Sequence, residues 1–357
     1  MRILLLSRYE RMGQSSRLRT LQYIPYLKDH GVRTETASLF DDSYLAALNA
    51  GKARNPVTIL HAYLNRLRLA PVLRRYDIIW LEKEMFPWIP FVFEKRLLKA
   101  APPIVMDIDD ADFHHYDLGG NPIIRLLMSS KIAGLMNLSA LVTAGNDYLA
   151  SYARRSGARA VEELPTVVDL ARYPITGRNS GAEGTVTIGW IGSPTTAPYL
   201  NTIAPALRDL AHENSVKLVL VGSGDMAIDG VKPEIYPWTE DSEVDMVSSF
   251  DIGIMPLAKT PWELGKCGYK IIQYMACSKP VVASAFGANL SIIKNGQEGF
   301  LADGIEDWRR ALRQLIRDPG LRLRMGASGR RLVEQRYCTG ITAPRLLNLF
   351  RNIHSSN

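Results

Sequence analysis

Apolar and polar positions along this chain fall into two textures. Short, nearly continuous apolar runs recur at Arg2–Ser7, Asp77–Leu81, Ile104–Ile108 and Ala140–Ala144, and the more polar Val32–Leu39 also reads as a strand. They return at Val186–Ile191, Lys217–Val221, Asp251–Pro256 and Val281–Ala283. Runs apolar at every position, not at alternate ones, predict strands buried on both faces, as in parallel sheets covered by helices. Between them lie stretches with helical periodicity. Examples are Arg17–His30 closed by Gly31, Asn55–Arg75 with Leu60, Leu64 and Leu67 on one face, Ile123–Met136, and Asp147–Ser156 capped by Asn146. Trp308–Arg317, Leu321–Tyr337 and Thr342–His354 close the chain as helices. Strand and helix alternate in both halves, which predicts an α/β protein of two doubly wound parallel sheets.

A length of 357 residues suits two domains. The polar stretch Gly177–Gly184 is the best linker, so a first domain over 1–176 and a second over 177–340 are expected, with 341–357 as a last helix. No apolar run approaches the roughly 20 residues that span a bilayer. The start, MRILLLSRYER, is charged too early for a signal peptide. Three cysteines, Cys267, Cys277 and Cys338, have no metal-ligand spacing and form no even disulfide set, which points to a reducing cytosol. The net charge of +7 favours an anionic partner: phosphorylated substrates or an acidic membrane face. Nucleic acid is disfavoured, because no recognition motif is present. The basic amphipathic stretch Asn55–Arg75 and the apolar-basic Phe86–Lys99 suit peripheral membrane contact, or equally a solvated surface.

Candidate chemistry concentrates in Pro261–Ser284, PWELGKCGYKIIQYMACSKPVVAS. A small-residue loop runs into a helix from about Tyr269, and such an entry offers backbone N–H groups to a phosphate. Lys266 and Lys270, four apart, would add two cations on one face, and Gln273 one turn on offers an amide to a ribose. Surface lysines of an ordinary α/β unit would look the same. The tail Met275-Ala276-Cys277-Ser278-Lys279-Pro280-Val281-Val282-Ala283 resembles the donor signature of GT4-type, retaining glycosyltransferases of the GT-B fold, in which two Glu eight apart precede M-A-C-G-x-P-V-V-A. In that alignment the family's Glu positions fall on Gly265 and Gln273, and Glu263 is the stand-in for the first. Asn295–Leu301 resembles the family's N-G-x-x-G-F-L hairpin, and Pro165–Asp169 its P-x-x-V-D linker.

Further candidates follow strand ends, where open α/β sheets bind ligands. Gly13 and the loop to Ser16, with Arg17 and Arg19, stand where the resemblance places an acceptor. Asp107, Asp109, Asp110, Asp112, His114 and His115 form a dense titratable group after the strand Ile104–Ile108. Its carboxylates would suit Mg²⁺, or cap the helix that follows. The resemblance instead implies no metal or other cofactor and a cleft-facing His after this strand, either His114 or His115. Asp109 or Asp110 together with His114 are preferred as the groups facing the donor sugar or acceptor hydroxyl. Gly192 and Ser193 form a second small-residue loop, lacking the Arg and Lys usual in the family. Trp238 follows the stretch expected to read the base.

The resemblance implies two Rossmann-like domains facing across a cleft, the second holding a nucleotide-diphosphate sugar and the first a saccharide or lipid-linked acceptor. The expected activity is glycosyl transfer in bacterial surface polysaccharide or glycoconjugate assembly, in the cytoplasm or at the inner membrane face. Two rivals are a nucleotide-sugar epimerase on the same fold and a non-catalytic nucleotide-sugar-binding homologue.

Overall fold

The computed structural model describes residues 1–175, 184–213 and 216–356. The chain divides into two compact units. The first comprises Met1–Thr166, Gly265–Cys267 and the residues from Thr342 onward; the second comprises Val167–Leu264 and Gly268–Ile341. Of the expected linker, residues 177–183 lie outside the described residues.

The first unit is built on β1 (Arg2–Leu6), β2 (Arg33–Thr36), β3 (Ile78–Glu82), β4 (Ile104–Ile108), β5 (Leu141–Ala144) and β6 (Val161–Glu163). They form one parallel sheet in the order β2-β1-β3-β4-β5-β6. Strands β3, β4 and β5 are buried at every position, as continuous apolar runs require. The order reverses between β1 and β3, and ligands enter open α/β sheets at the carboxyl ends beside such a switch point. The chain's last helix, Thr339–Ser355, supplies Leu346, Leu347 and Phe350 to this unit's core. Phe350 meets the Trp80 ring edge-on at 5.1 Å, and Thr342 shares a 2.9 Å hydrogen bond with the Tyr23 hydroxyl.

The second unit is built on β7 (Val186–Ile191), β8 (Val216–Val221), β9 (Glu234–Tyr236), β10 (Ile252–Met255), β11 (Val281–Ser284) and β12 (Gly299–Ala302). The parallel order is β12-β11-β10-β7-β8-β9, with its switch point between β7 and β10. One core cluster, centred on Trp190, Leu220, Ile254 and Trp308, lies on one side of this sheet. A second, centred on Phe250, Ile271, Tyr274 and Met275, lies on the other.

Three long predicted helices are broken. Residues 17–30 form two short helices, Gln14–Arg19 and Ile24–Asp29, with a 3-10 turn between them. Thr20 turns its hydroxyl back onto the Ser16 carbonyl, and Pro25 cannot continue a helical ladder. The stretch 55–75 becomes Pro56–Leu67 followed by a 3-10 helix over Ala70–Arg75, because Pro71 interrupts it. Ile123–Met136 divides into Pro122–Met128 and Lys131–Leu138 at the Ser129-Ser130 pair.

Helix Pro56–Leu67 is inverted relative to ordinary amphipathicity. Its only buried residue is Arg66, whose guanidinium donates to the carbonyls of Ser7 at 2.6 Å and Ala37 at 2.9 Å. Its apolar residues Val57, Leu60, Leu64 and Leu67 are exposed.

Candidate functional site

In the first unit, the carboxyl ends of β1, β3 and β4 carry a compact charge network. Lys83 directly follows β3 in the left-handed region (φ 60°), which is unusual for a residue with a side chain. Its buried ammonium lies 3.0 Å from Asp109, 2.9 Å from Asp112 and 4.0 Å from Asp110. Burial works against the Lys83 charge, but Asp109 and Asp112 outweigh it and hold its pKa well above the ordinary lysine value. Burial likewise opposes the charge on Asp109 and Asp112; Lys83 overcomes it and keeps both below the usual carboxylate range. Asp110 differs. Burial lifts its pKa, and Lys266 and Lys83 only partly compensate.

Arg8, just past β1, joins the network at 3.3 Å from both Asp112 and Glu84. Glu84 also accepts from Lys131 at 2.7 Å and from the Tyr116 hydroxyl. None of Arg8, Lys83 and Glu84 is singled out by the sequence reading, although a Glu-Lys-Glu triplet ending a fully apolar strand was a usable signal.

The expected acceptor arginines take other places. Arg19 is buried and forms a two-point ion pair with Asp107, 3.0 and 2.6 Å, while also donating to the Leu164 carbonyl. Asp107 and Arg19 are thus each other's partners, away from the Lys83 network. Arg17 is buried as well and reaches the Arg11 carbonyl at 3.3 Å. Gly13 is the residue before the helix Gln14–Arg19, packed against the Tyr9 ring. His114 has both ring nitrogens engaged, by Asp117 and by the Tyr148 hydroxyl, each at 2.8 Å. His115 is the ring that feels Asp112, Arg8, Lys83 and Glu84; burial leads in lowering its pKa below the ordinary histidine value.

Lys266 belongs to the first unit and pairs with Asp110 at 2.8 Å. It precedes the helix that begins at Tyr269, so Lys266 and Lys270 do not share a helical face as their spacing suggested. Gly265 is packed onto the backbone nitrogen of Ala111, leaving no room for a side chain. Cys267 places its sulfur 3.1 Å from the Asp109 carbonyl, and burial pushes its thiol pKa up.

In the second unit, the remaining donor candidates gather at the carboxyl ends of β7, β8 and β9. Gly192 follows β7, with the Lys270 side chain beside it. Lys270 lies in the first turn of the helix Tyr269–Ala276 and holds its ammonium 5.5 Å from the centre of the Trp190 ring. That helix is entered through Gly268 at φ 68°, without a side-chain cap on its first N–H groups. Gly222, after β8 at φ 75°, touches the Gly192 carbonyl and the Trp238 side chain; both its backbone angle and that contact require glycine. Ser193 is tied to Thr195 by a 2.8 Å hydroxyl contact, and its loop leads into a 3-10 helix, not directly into an α-helix.

Gln273 is buried and donates to the Tyr173 hydroxyl at 3.3 Å instead of facing outward. Tyr173 donates to Glu243 at 3.1 Å, and the indole N–H of Trp238 donates to the other Glu243 oxygen at 2.9 Å. Glu263 is buried, with its two oxygens accepting from the hydroxyls of Tyr199 and Thr260.

The first unit also exposes an extended apolar surface. Besides the inverted helix it includes Trp88, Val92, Phe93, Leu118, Ile123, Leu126 and Leu127, of which Leu126 is 83% exposed. Tyr63 meets the buried Phe86 at 5.6 Å between ring centres, and Trp88 meets the buried Tyr116 at 5.2 Å. Arg68, Lys95, Arg96, Lys99 and Arg125 are exposed on the same helices or directly beside them. Among the described residues no helix is long and apolar enough to cross a membrane, and no group of His, Cys, Asp and Glu has the arrangement of a metal site.

Two parallel sheets of this kind, each with its side chains gathered at a switch point, define the GT-B architecture of nucleotide-sugar-dependent transferases. Residues 185–318 match the family model described as glycosyl transferases group 1. A D-inositol 3-phosphate glycosyltransferase of Rhodococcus jostii is 31% identical over 117 residues, 32% of this chain and a quarter of that protein's length. Among solved structures, HepE of Anabaena in complex with UDP is 16% identical, with a TM-score of 0.73 over 99% of this chain and 100% of that one. Sucrose-phosphate synthase from Thermosynechococcus elongatus is 13% identical, with a TM-score of 0.76 and full coverage of both chains. A glycosyltransferase from Rickettsia africae is 16% identical at a TM-score of 0.68, covering 99% of this chain and 98% of that one. The fold is therefore GT-B, and these matches support a place in the glycosyltransferase superfamily.

Proposed function

We propose that this chain transfers a sugar from a nucleoside-diphosphate sugar, bound by the second unit, to a saccharide or lipid-linked acceptor, bound by the first. The observation that carries this is the convergence of Gly192, Gly222, Trp238 and Lys270 on one edge of the second sheet. The Lys270 ammonium, in the first turn of the helix Tyr269–Ala276, suits the charge that develops on a departing diphosphate. UDP is the favoured nucleotide, by analogy with the neighbour solved with it. In the first unit, Asp110 is the most exposed of the three carboxylates around Lys83 and is the proposed partner of an acceptor hydroxyl, with Asp109 beside it. Retention of configuration and the absence of a metal requirement are carried over from the GT4 resemblance. The apolar surface with its exposed bases suits an anionic lipid face, which fits a lipid-linked acceptor and a role in surface polysaccharide assembly.

The test is a thermal-shift panel of UDP, GDP, dTDP and CMP with their sugars. A ligand at a hundred times its Kd stabilises the native state by about 2.7 kcal/mol. UDP is expected to raise the melting temperature of the wild type, and Lys270→Met to weaken that binding at least about tenfold, the loss of one charge-assisted contact. No shift from any nucleotide would overturn the donor assignment.

A further inference from the structure

Glu243 is buried to 1% exposure, and one oxygen accepts from Trp238 while the other accepts from Tyr173. A backbone carbonyl would satisfy an indole N–H at far lower cost than a buried carboxylate, which loses several kcal/mol of hydration. What a carboxylate adds is a stronger, directional bond. Trp238 is only partly buried, follows β9, and rests its Cβ on Gly222, which in turn touches the Gly192 carbonyl. Its ring thus belongs to the same edge as Lys270. From the other side, Gln273 of the helix Tyr269–Ala276 donates to Tyr173. One hydrogen-bonded path, Gln273 to Tyr173 to Glu243 to Trp238, therefore runs from the helix carrying Lys270 to the partly exposed indole.

We propose that Glu243 is a positioning residue of the donor site: it fixes the Trp238 indole, through Nε1, in the orientation that stacks on the nucleobase of the bound nucleoside diphosphate. This rests on the donor assignment made above. Stacking on an aromatic face tolerates any base, so Glu243 governs how tightly the nucleotide is held and not which base is chosen. Gln273 occupies the position of the family's second Glu, and here that residue supports the ring from within.

The experiment uses the full-length chain, UDP as probe, and the indole N–H resonances of its six tryptophans. Trp238→Phe identifies the Trp238 signal by its loss. UDP is expected to move that signal, and Glu243→Ala is expected to displace it in the free protein and raise the Kd for UDP about tenfold, the worth of one stacked base. Turnover at saturating donor should change less than about twofold, since Glu243 touches no reacting atom. Glu243→Gln keeps an oxygen acceptor and should recover most of the affinity. Tyr173→Phe keeps the ring and should weaken binding about threefold through one lost hydrogen bond. These two variants read the effect even if Glu243→Ala folds poorly. Unchanged UDP affinity in both Glu243→Gln and Glu243→Ala, or a Trp238 signal unmoved at saturating UDP, would overturn the proposal. Absence of UDP binding by the wild type would instead remove the donor assignment, and this inference with it.

Discussion

Replacing Lys83 by Met keeps the length of the side chain and removes the charge that three carboxylates surround. In the wild type its ammonium lies within 3.0 Å of both Asp109 and Asp112. Removing one partner of a buried pair typically costs about 3–5 kcal/mol, because the remaining charge stays buried and uncompensated. For a unit of this size each kcal/mol moves the melting temperature by roughly 2–4 °C, so the variant should melt about 6–20 °C lower at pH 8. The pH dependence follows from the direction of the shifts. In the wild type, Asp109 and Asp112 sit below their ordinary values, so their contribution is present at neutral pH and is lost only on strong acidification. Without Lys83, burial dominates and lifts both carboxyls, so the folded variant takes up protons as the pH falls toward about 5 and its deficit shrinks. Lys83→Gly separates charge from backbone: it loses the ammonium but relieves the left-handed strain, and should recover about 1 kcal/mol relative to Lys83→Met. The assay is differential scanning calorimetry of the three proteins at pH 5 and pH 8. A Lys83→Met protein melting within about 2 °C of wild type at pH 8, or showing the same deficit at both pH values, would refute the reasoning.

Gly265→Glu, the residue that the GT4 resemblance leads one to expect there, should lower the melting temperature and the yield of folded protein, because the new side chain meets the Ala111 backbone nitrogen; a stable, more active variant would contradict that packing. Phe93→Glu combined with Leu126→Glu should abolish sedimentation with phosphatidylglycerol vesicles while leaving the melting temperature within about 2 °C of wild type, since both side chains are already exposed. Equal sedimentation of the double variant would count against lipid contact through this face.

The strands were legible because buried parallel strands are apolar at most consecutive positions; Ile78–Leu81 and Ile104–Met106 show that texture up to the charged Glu82 and Asp107. Helix ends were less legible. Pro71 interrupts one predicted helix and the Ser129-Ser130 pair divides another, through local hydrogen-bonding choices that periodicity does not report. The small-residue loops at Gly192 and Gly268 were visible as composition. Charge partners were not. Arg19 and Asp107 stand 88 residues apart, and only the folded sheet brings them together. Arg17 and Arg19 look like solvated first-turn arginines in one dimension, and both are buried in three. Lys83 escaped notice for the opposite reason: a single lysine at a strand end carries no spacing signal, and its left-handed backbone becomes apparent only with coordinates. Glu243 opens the helix Glu243–Ser248, and nothing in its neighbours announces two hydrogen bonds to residues before it in the chain.

The first unit is discontinuous, and this orders events during synthesis. Its sheet ends with Val161–Glu163, but the helix that covers Trp80 and Tyr23 begins only at Thr339. At about 5–20 residues per second, a ribosome needs on the order of ten to thirty seconds to make what lies between. Throughout that interval the apolar bed of Leu346, Leu347 and Phe350 stands empty, so the unit that emerges first is the last to be completed. Until its own C-terminal helix arrives, that apolar surface is uncovered in the nascent chain.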